Sequence, residues 1–268
     1  MDVTRALPHP KLRGVLRAFE ERCVDLGSTV LAWPVPARPH QILSFQLAEP
    51  YRVRIDGGSA ATMPDTYLVG PQSYQRAHVC LTGPIHDFTI LFQPTGLNLL
   101  VGIDMTALLN HDPPASDVLG RSAAVLRDAV RNAPDFGQRI AAVERWVEGM
   151  LESGGSDCVI GGASRRMIAD WGGARIKDLV AASGLSASQF QRRFAAQVGM
   201  PPKLFARTIR FDRALAARRD GSNRSWTDIV HDLGYFDQAH FIRECHAFAG
   251  LPPGSLVGDW DNIFFPGG

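Results

Sequence analysis

The sequence predicts an α+β protein of two domains. An N-terminal antiparallel β-rich, barrel-like domain with trailing helices precedes a C-terminal all-α domain of two helix-turn-helix units joined by a long helix. Three observations carry this. Between residues 42 and 93, short extended runs are separated by clusters of Gly, Pro and Asp. From 121 to 152, apolar residues recur at helical spacing. From Ile176 to Leu256, one pattern is written twice, as GLSASQFQRRFAAQVGMPP from Gly184 and GYFDQAHFIRECHAFAGLPP from Gly234. With 268 residues and 45% hydrophobic content, the chain can bury two cores. The expected boundaries are a β-rich domain over 1–152, a linker over 153–164 and the helical domain over 165–268.

In chain order, residues 11–26 read as a helix, because Leu12, Val15, Leu16 and Phe19 share one helical face. Strands are expected at 42–47 (ILSFQL), 51–55 (YRVRI), 66–70 (TYLVG), 77–81 (AHVCL) and 88–93 (FTILFQ). Their even spacing and the breaks at Asp56-Gly57-Gly58 and Gly83-Pro84 imply an antiparallel sheet or small barrel. Were such a sheet to curl, Trp33, Phe45, Tyr67, Tyr74, Phe88 and Phe92 would line an apolar pocket, with Arg52, His78 or Arg76 as polar anchors. The same aromatics would equally fill a core, and that is the commoner fate.

Helices follow near 96–101, 105–110, 121–132 and 136–152. The last carries Phe136, Ile140, Val143, Val147 and Met150 in a narrow stripe that suits packing on its own sheet or, less commonly, a homodimer seam. The stretch SGGSDCVIGGAS at 153–164 has four glycines and three serines and reads as a flexible linker.

In the duplicated region, Phe190 falls on Phe241, Arg192 on Arg243, Phe194 on Cys245, Gly199 on Gly250 and Pro201-Pro202 on Pro252-Pro253, at a constant offset. Ile176, Leu179 and Val180 mark a helix before the first copy; Trp226, Ile229, Val230 and Leu233 mark one before the second. Gly184 and Gly234 free the backbone for a turn, and Ser186 and Asp237 can each cap the next helix. The buried stripes should be Phe190, Phe194, Val198 and Phe241, Cys245, Phe248. That leaves Ser186, Ser188, Gln189, Gln191 and Arg192 exposed in one unit and Gln238, Ala239, His240 and Arg243 in the other. Arg and Gln at the start of a helix suit a major groove, where Arg pairs with guanine and Gln with adenine. A helix of about 18 residues opening at Pro201-Pro202 would set the two units one turn of DNA apart, with Arg210 toward backbone phosphate.

Charge supports a polyanionic partner only weakly. Residues 1–163 hold 14 Lys/Arg against 17 Asp/Glu, and 164–268 hold 14 against 10, with nine basic and two acidic side chains between 192 and 224. The four cysteines, Cys23, Cys80, Cys158 and Cys245, show no paired spacing for zinc, and the default is a reduced cytoplasmic protein. His40, His78 and His86 form no metal-binding pattern, and no nucleophile elbow, phosphate loop or dinucleotide fingerprint is present. No catalytic residue, metal site or cofactor is therefore expected, and neither a signal peptide nor a membrane span.

The stretch from Trp226 to Pro253 resembles the signature region of AraC-type transcriptional regulators, and the resemblance extends over Ser164 to Leu256. It departs from that pattern at Cys245, where a core Phe is usual, and at Leu256, where a Tyr is usual. The resemblance implies two helix-turn-helix units on double-stranded DNA, a β-rich domain that senses a small-molecule effector, RNA polymerase as a possible partner and, often, a dimer contact near 136–152. Two other readings stay open: an N-terminal domain that only dimerises, and a small-molecule enzyme with a DNA-targeting appendage.

Overall fold

The computed structural model describes residues 2–151, 159–219 and 224–256. Nine strands form two antiparallel sheets: β1 (Asp2–Ala6), β2 (Leu16–Asp25), β3 (Leu31–Val35), β4 (Ile42–Gln46), β5 (Arg52–Ile55), β6 (Ala60–Thr62), β7 (Thr66–Val69), β8 (Ala77–Leu81) and β9 (Pro84–Phe92). One sheet has the order β1-β2-β9-β4-β7 and the other β3-β8-β5-β6, so the domain is a pair of open sheets and not a closed barrel.

The helix expected over 11–26 is instead a 3-10 turn at Pro10–Leu12 followed by β2. The four apolar residues that suggested it, Leu12, Val15, Leu16 and Phe19, all enter the same core. A regular strand would place Leu16 and Phe19 on opposite faces, but the pairing of β2 with β9 slips between Leu16 and Ala18, and this bulge returns both to one side. A bulged strand can thus imitate a helical spacing.

Five helical segments follow: α1 (Gly96–Val101), a 3-10 turn (Met105–Leu108), α2 (Ala115–Leu119), α3 (Arg121–Asn132) and α4 (Phe136–Leu151). They cover one face of the five-stranded sheet, burying Phe19, Leu43, Phe45, Phe88 and Ile90 against Leu126, Val130, Val143 and Val147. The α4 stripe is therefore spent inside its own domain: Val143 and Val147 are fully buried, and Phe136 meets Phe88 edge-on with centroids 6.0 Å apart. Of the two fates expected for this stripe, packing on its own sheet is the one seen for Val143 and Val147.

The linker reading of 153–164 is corrected in part. Residues 159–164 belong to α5 (Val159–Ala169), whose Ile160, Ala163 and Met167 are core residues of the next domain, while 152–158 lie outside the described residues. Gly161 is buried in this helix: here small residues allow close packing and do not mark a flexible connection.

The C-terminal domain continues with α6 (Ile176–Ser183), α7 (Ala187–Val198), α8 (Pro202–Arg219), α9 (Trp226–Asp232) and α10 (Gln238–Ala249). α8 has 18 residues, the expected length. Its first half closes a core over α5–α7 with Phe205, Ala206 and Ile209, and its second half closes another over α9 and α10 with Phe211, Ala214 and Leu215. Cys245 is fully buried and Leu256 nearly so, which shows that these smaller side chains are packed over.

Candidate DNA interface and interior cavity

The two repeats build matching helix starts. Ser186 caps α7 in a reciprocal box, its Oγ accepting from the Gln189 backbone N–H at 3.3 Å while its own N–H donates to Gln189 Oε1 at 3.1 Å. Asp237 caps α10, Oδ1 accepting from the His240 N–H at 2.6 Å. Phe190, Phe194 and Val198 line the buried side of α7; Phe241, Cys245 and Phe248 line that of α10. Ser186, Ser188, Gln189, Gln191 and Arg192 are consequently exposed in the first unit, and Gln238, Ala239 and Arg243 in the second.

Four predicted contacts acquire internal duties. Gln189 is engaged in its capping box, and Gln238 donates to Thr227 Oγ1 at 2.7 Å. His240 turns inward, its ring 5.4 Å from that of Tyr235 and its Nε2 3.6 Å from the buried carboxylate of Glu244. Arg210 is half-buried, donating to the Gly172 carbonyl at 3.2 Å with its guanidinium 5.5 Å from the Tyr235 ring. It ties the loop before the first unit to the second unit and borders the cleft between them.

The second turn is one residue longer than the first. In the first, Leu185 joins the core below Phe190; in the second, Tyr235 fills that place, with centroids 5.1 Å from Phe241, and the extra residue, Phe236, is 92% exposed immediately before the cap of α10. Between the units a cleft is lined by Arg175, Lys177, Lys203, Arg207 and Arg243, with Glu244 at its side accepting from Arg207 Nε at 2.8 Å. Arg175 and Lys177 were missed in the sequence, where they precede the first repeat and carry no helical pattern of their own.

A second site lies between the two sheets. Residues of β2, β4 and β9 alternate: Phe19, Leu43, Phe45, Phe88 and Ile90 face the helices, whereas Glu20, Arg22, Ser44, Asp87 and Thr89 face an interior cavity of about 100 Å³. Tyr67 and Val69 of β7 continue the lining in the same sheet, Val53 and Val79 of the second sheet close it from the other side, and Tyr51, Gln72, Arg76, Asp112 and Arg38 complete it.

Of the pocket residues expected from sequence, Tyr67 and Arg76 line this cavity. Phe45, Phe88 and Phe92 lie on the opposite face of their sheet, in the helical core, because one step along a strand reverses direction. Arg52 and His78 point outward beside the cavity-facing Val53 and Val79. Arg52 donates to the Ala60 carbonyl at 2.6 Å, and His78 is held below its usual range by burial and by Arg54. Trp33 belongs to a small cluster with Leu31 and Leu81, and Tyr74 is exposed.

Four of the cavity's charged side chains form two pairs. Arg22 meets Asp87 at 3.4 Å, and Arg76 meets Asp112 at 2.6 Å, with Gln72 bonded to both. Burial pushes the carboxyls of Glu20, Asp87 and Asp112 up, against the pull of neighbouring arginines. The phenols of Tyr51 and Tyr67 are hydrogen-bonded to each other, and burial raises both, so they stay neutral donors.

Residues 37–41 connect this cavity to the DNA-binding domain. Arg38 pairs with Gln72 through two backbone hydrogen bonds, Arg38 N–H to Gln72 O at 3.0 Å and Gln72 N–H to Arg38 O at 2.9 Å. Its neighbours reach the other way. Ala37 donates to the Phe248 carbonyl, His40 lies 3.2 Å from Asp212 of α8, and Gln41 Nε2 donates to the Val198 carbonyl at 3.0 Å.

Comparison with known proteins agrees with this division. A family model described as a helix-turn-helix domain matches residues 179–257, which span both repeats from within α6. The C-terminal domain is therefore a helix-turn-helix domain. Over the whole chain, solved structures of ToxT from Vibrio cholerae are similar. The O395 protein is 10% identical, covering 88% of this chain and 95% of its own at a TM-score of 0.49. A second crystal form is 12% identical, covering 88% and 96% at 0.47. Wild-type ToxT from strain SCE256 bound to an unsaturated fatty acid is 11% identical, covering 88% and 93% at 0.49. No curated protein sequence matches the chain significantly. No helix among the described residues is long and apolar enough to cross a membrane.

Proposed function

We propose that this protein is a sequence-specific transcription regulator whose hold on DNA responds to a small molecule bound between the two sheets of its N-terminal domain. Segment 37–41 is the observation that carries the reading: Arg38 borders the cavity while Ala37, His40 and Gln41 touch both helix-turn-helix units and the helix between them. A molecule that moves Arg38 must act on those three contacts, which is the differential interaction a ligand needs to shift an equilibrium. Base reading falls to Ser188, Gln191, Arg192, Gln238, Ala239 and Arg243, and phosphate contact to Arg175, Lys177 and Lys203. Double-stranded DNA in the cytoplasm is the partner, with RNA polymerase a further one at a promoter.

Selection of bound sequences from random duplex DNA tests the first half. A recurrent pair of half-sites about 10 base pairs apart is expected; recovery of no motif would remove sequence-specific regulation. Native mass spectrometry of the purified protein, followed by DNA binding with and without the retained species, tests the second.

A further inference from the structure

We propose that the cavity between the sheets takes a compact carboxylate, seated on the guanidinium of Arg38. The proposal rests on reading the N-terminal domain as an effector domain, and it names the effector's chemistry.

The argument is one of charge and partners. Three acids line the cavity, and each has an arginine: Asp87 has Arg22, Asp112 has Arg76 at 2.6 Å, and Glu20 has Arg5 at 3.4 Å. Arg38 is the third arginine of the lining, and its side chain makes no hydrogen bond or ion pair with any described residue. Its Nε is wholly buried without a partner. Burial also weighs against its charge, with Asp112 and the two phenols opposing from a distance. A guanidinium does not shed its proton at neutral pH, and this half-buried one, with its Nε shut from water, gains from an anion placed beside it.

The surroundings narrow the anion. A planar fork of N–H donors matches a carboxylate's two oxygens. A phosphate dianion would meet Asp112 and Asp87 at close range in a poorly solvated space, which disfavours the second negative charge. The Tyr51 and Tyr67 phenols and the hydroxyls of Ser44 and Thr89 offer hydrogen bonds, while Val53, Val69 and Val79 offer apolar wall. A volume of about 100 Å³ exceeds the roughly 10–15 Å³ one water requires but falls below the roughly 300 Å³ at which drug-sized pockets begin, so a short aliphatic or single-ring acid fits and a long acyl chain does not.

The test uses the full-length protein, calorimetry and thermal shift. The probes are acetate, butyrate, hexanoate and benzoate, each beside its neutral amide, with inorganic phosphate and oleate as further arms. At least one compact carboxylate should bind at millimolar concentration or better and alter DNA affinity, its amide should bind on the order of 100-fold more weakly, and Arg38→Gln should abolish the difference. Arg38→Lys, which keeps the charge without the fork, should retain part of the binding. The carboxylate–amide comparison needs only the wild-type protein, so a misfolded variant leaves the test intact. Equal binding of acid and amide, preference for phosphate or oleate, or no binding by any carboxylate would each overturn the proposal. A neutral molecule that binds and alters DNA affinity would do so while leaving the effector reading standing.

Discussion

The backbone N–H of Ala37 donates to the carbonyl of Phe248 at 2.7 Å, and the Ala37 methyl, 1% exposed, lies inside the core of the second helix-turn-helix unit. The N-terminal domain thus contributes a residue to the DNA-binding domain's interior. At the first unit, Gln41 reaches the Val198 carbonyl while Gly199 packs against Pro71, so both recognition helices are held by their C-terminal ends and present their N-terminal ends outward.

Enlarging Ala37 should therefore separate the domains without unfolding either. Ala37→Leu adds carbons to a filled core, an overpacking that costs about 1–3 kcal/mol. X-ray scattering should show a larger radius of gyration, and calorimetry two unfolding transitions in place of one. An unchanged single transition would show that the seam does not couple the domains.

The seam should also weaken in acid. His40 lies between Arg17, whose NH1 is 2.9 Å from Nδ1, and Asp212, 3.2 Å from Nε2, which suits a neutral ring accepting from Arg17 and donating to Asp212. Burial foremost, then the charge of Arg17, holds the imidazole below its ordinary range; Asp212 opposes this and Arg38 adds slightly to it. With the folded pKa depressed, the unfolded or undocked chain binds the proton first. The contribution is fully present above about pH 6.5 and is lost as pH falls below it toward the folded value. Melting temperature followed from pH 8 to 5 should show this component in the wild type and lack it in His40→Gln.

Backbone clearance sets a further expectation. Gly172 has a φ of +77°, and a Cβ there would stand 2.2 Å from the Ala206 carbonyl oxygen of α8, while its own carbonyl accepts from Arg210. Gly172→Ala should shift α5 against α8 and lower stability by about 1–3 kcal/mol in urea unfolding, with loss of DNA affinity. An unaltered midpoint would mean that α8 gives way freely.

What the sequence made legible follows from where its signals are local. The repeat announced caps, turns and buried stripes because each is fixed within about a dozen residues, and Ser186, Asp237, Phe190 and Phe241 stand where their neighbours required. The cavity was obscured for the opposite reason. Ser44, Asp87 and Thr89 alternate with apolar residues as a solvent-facing row would, and only the second sheet, brought over them by long-range pairing, turns that row into an interior. Arg38, between two prolines' worth of irregular chain, carried no periodic signal. Strand β2 was lost to its bulge, and α5 to a glycine pair of which Gly161 is buried in the helix packing.

The last prediction separates two roles among arginines. Arg192 and Arg243 occupy equivalent positions one turn into α7 and α10, and both are exposed on the side away from the cores. If those helices enter successive major grooves, alanine at either position should cost about 1–3 kcal/mol of DNA affinity and relax preference at one base pair, the two affected positions lying about 10 apart. Arg210 should behave differently. Its guanidinium is committed to the Gly172 carbonyl and the Tyr235 ring, so Arg210→Ala should lower the stability of the domain and leave the slope of log affinity against log salt unchanged. Lys203, exposed in the basic cleft, is the contrasting control, since its loss should reduce that slope by about one unit. Affinities of the four alanine variants, measured over a set of single-base-changed duplexes at several salt concentrations, decide between the roles. Uniform losses for Arg192 and Arg243 would assign them to phosphate and pass base reading to Ser188, Gln191, Gln238 and Ala239, whereas a reduced salt slope for Arg210→Ala would show that its internal contacts yield when DNA binds.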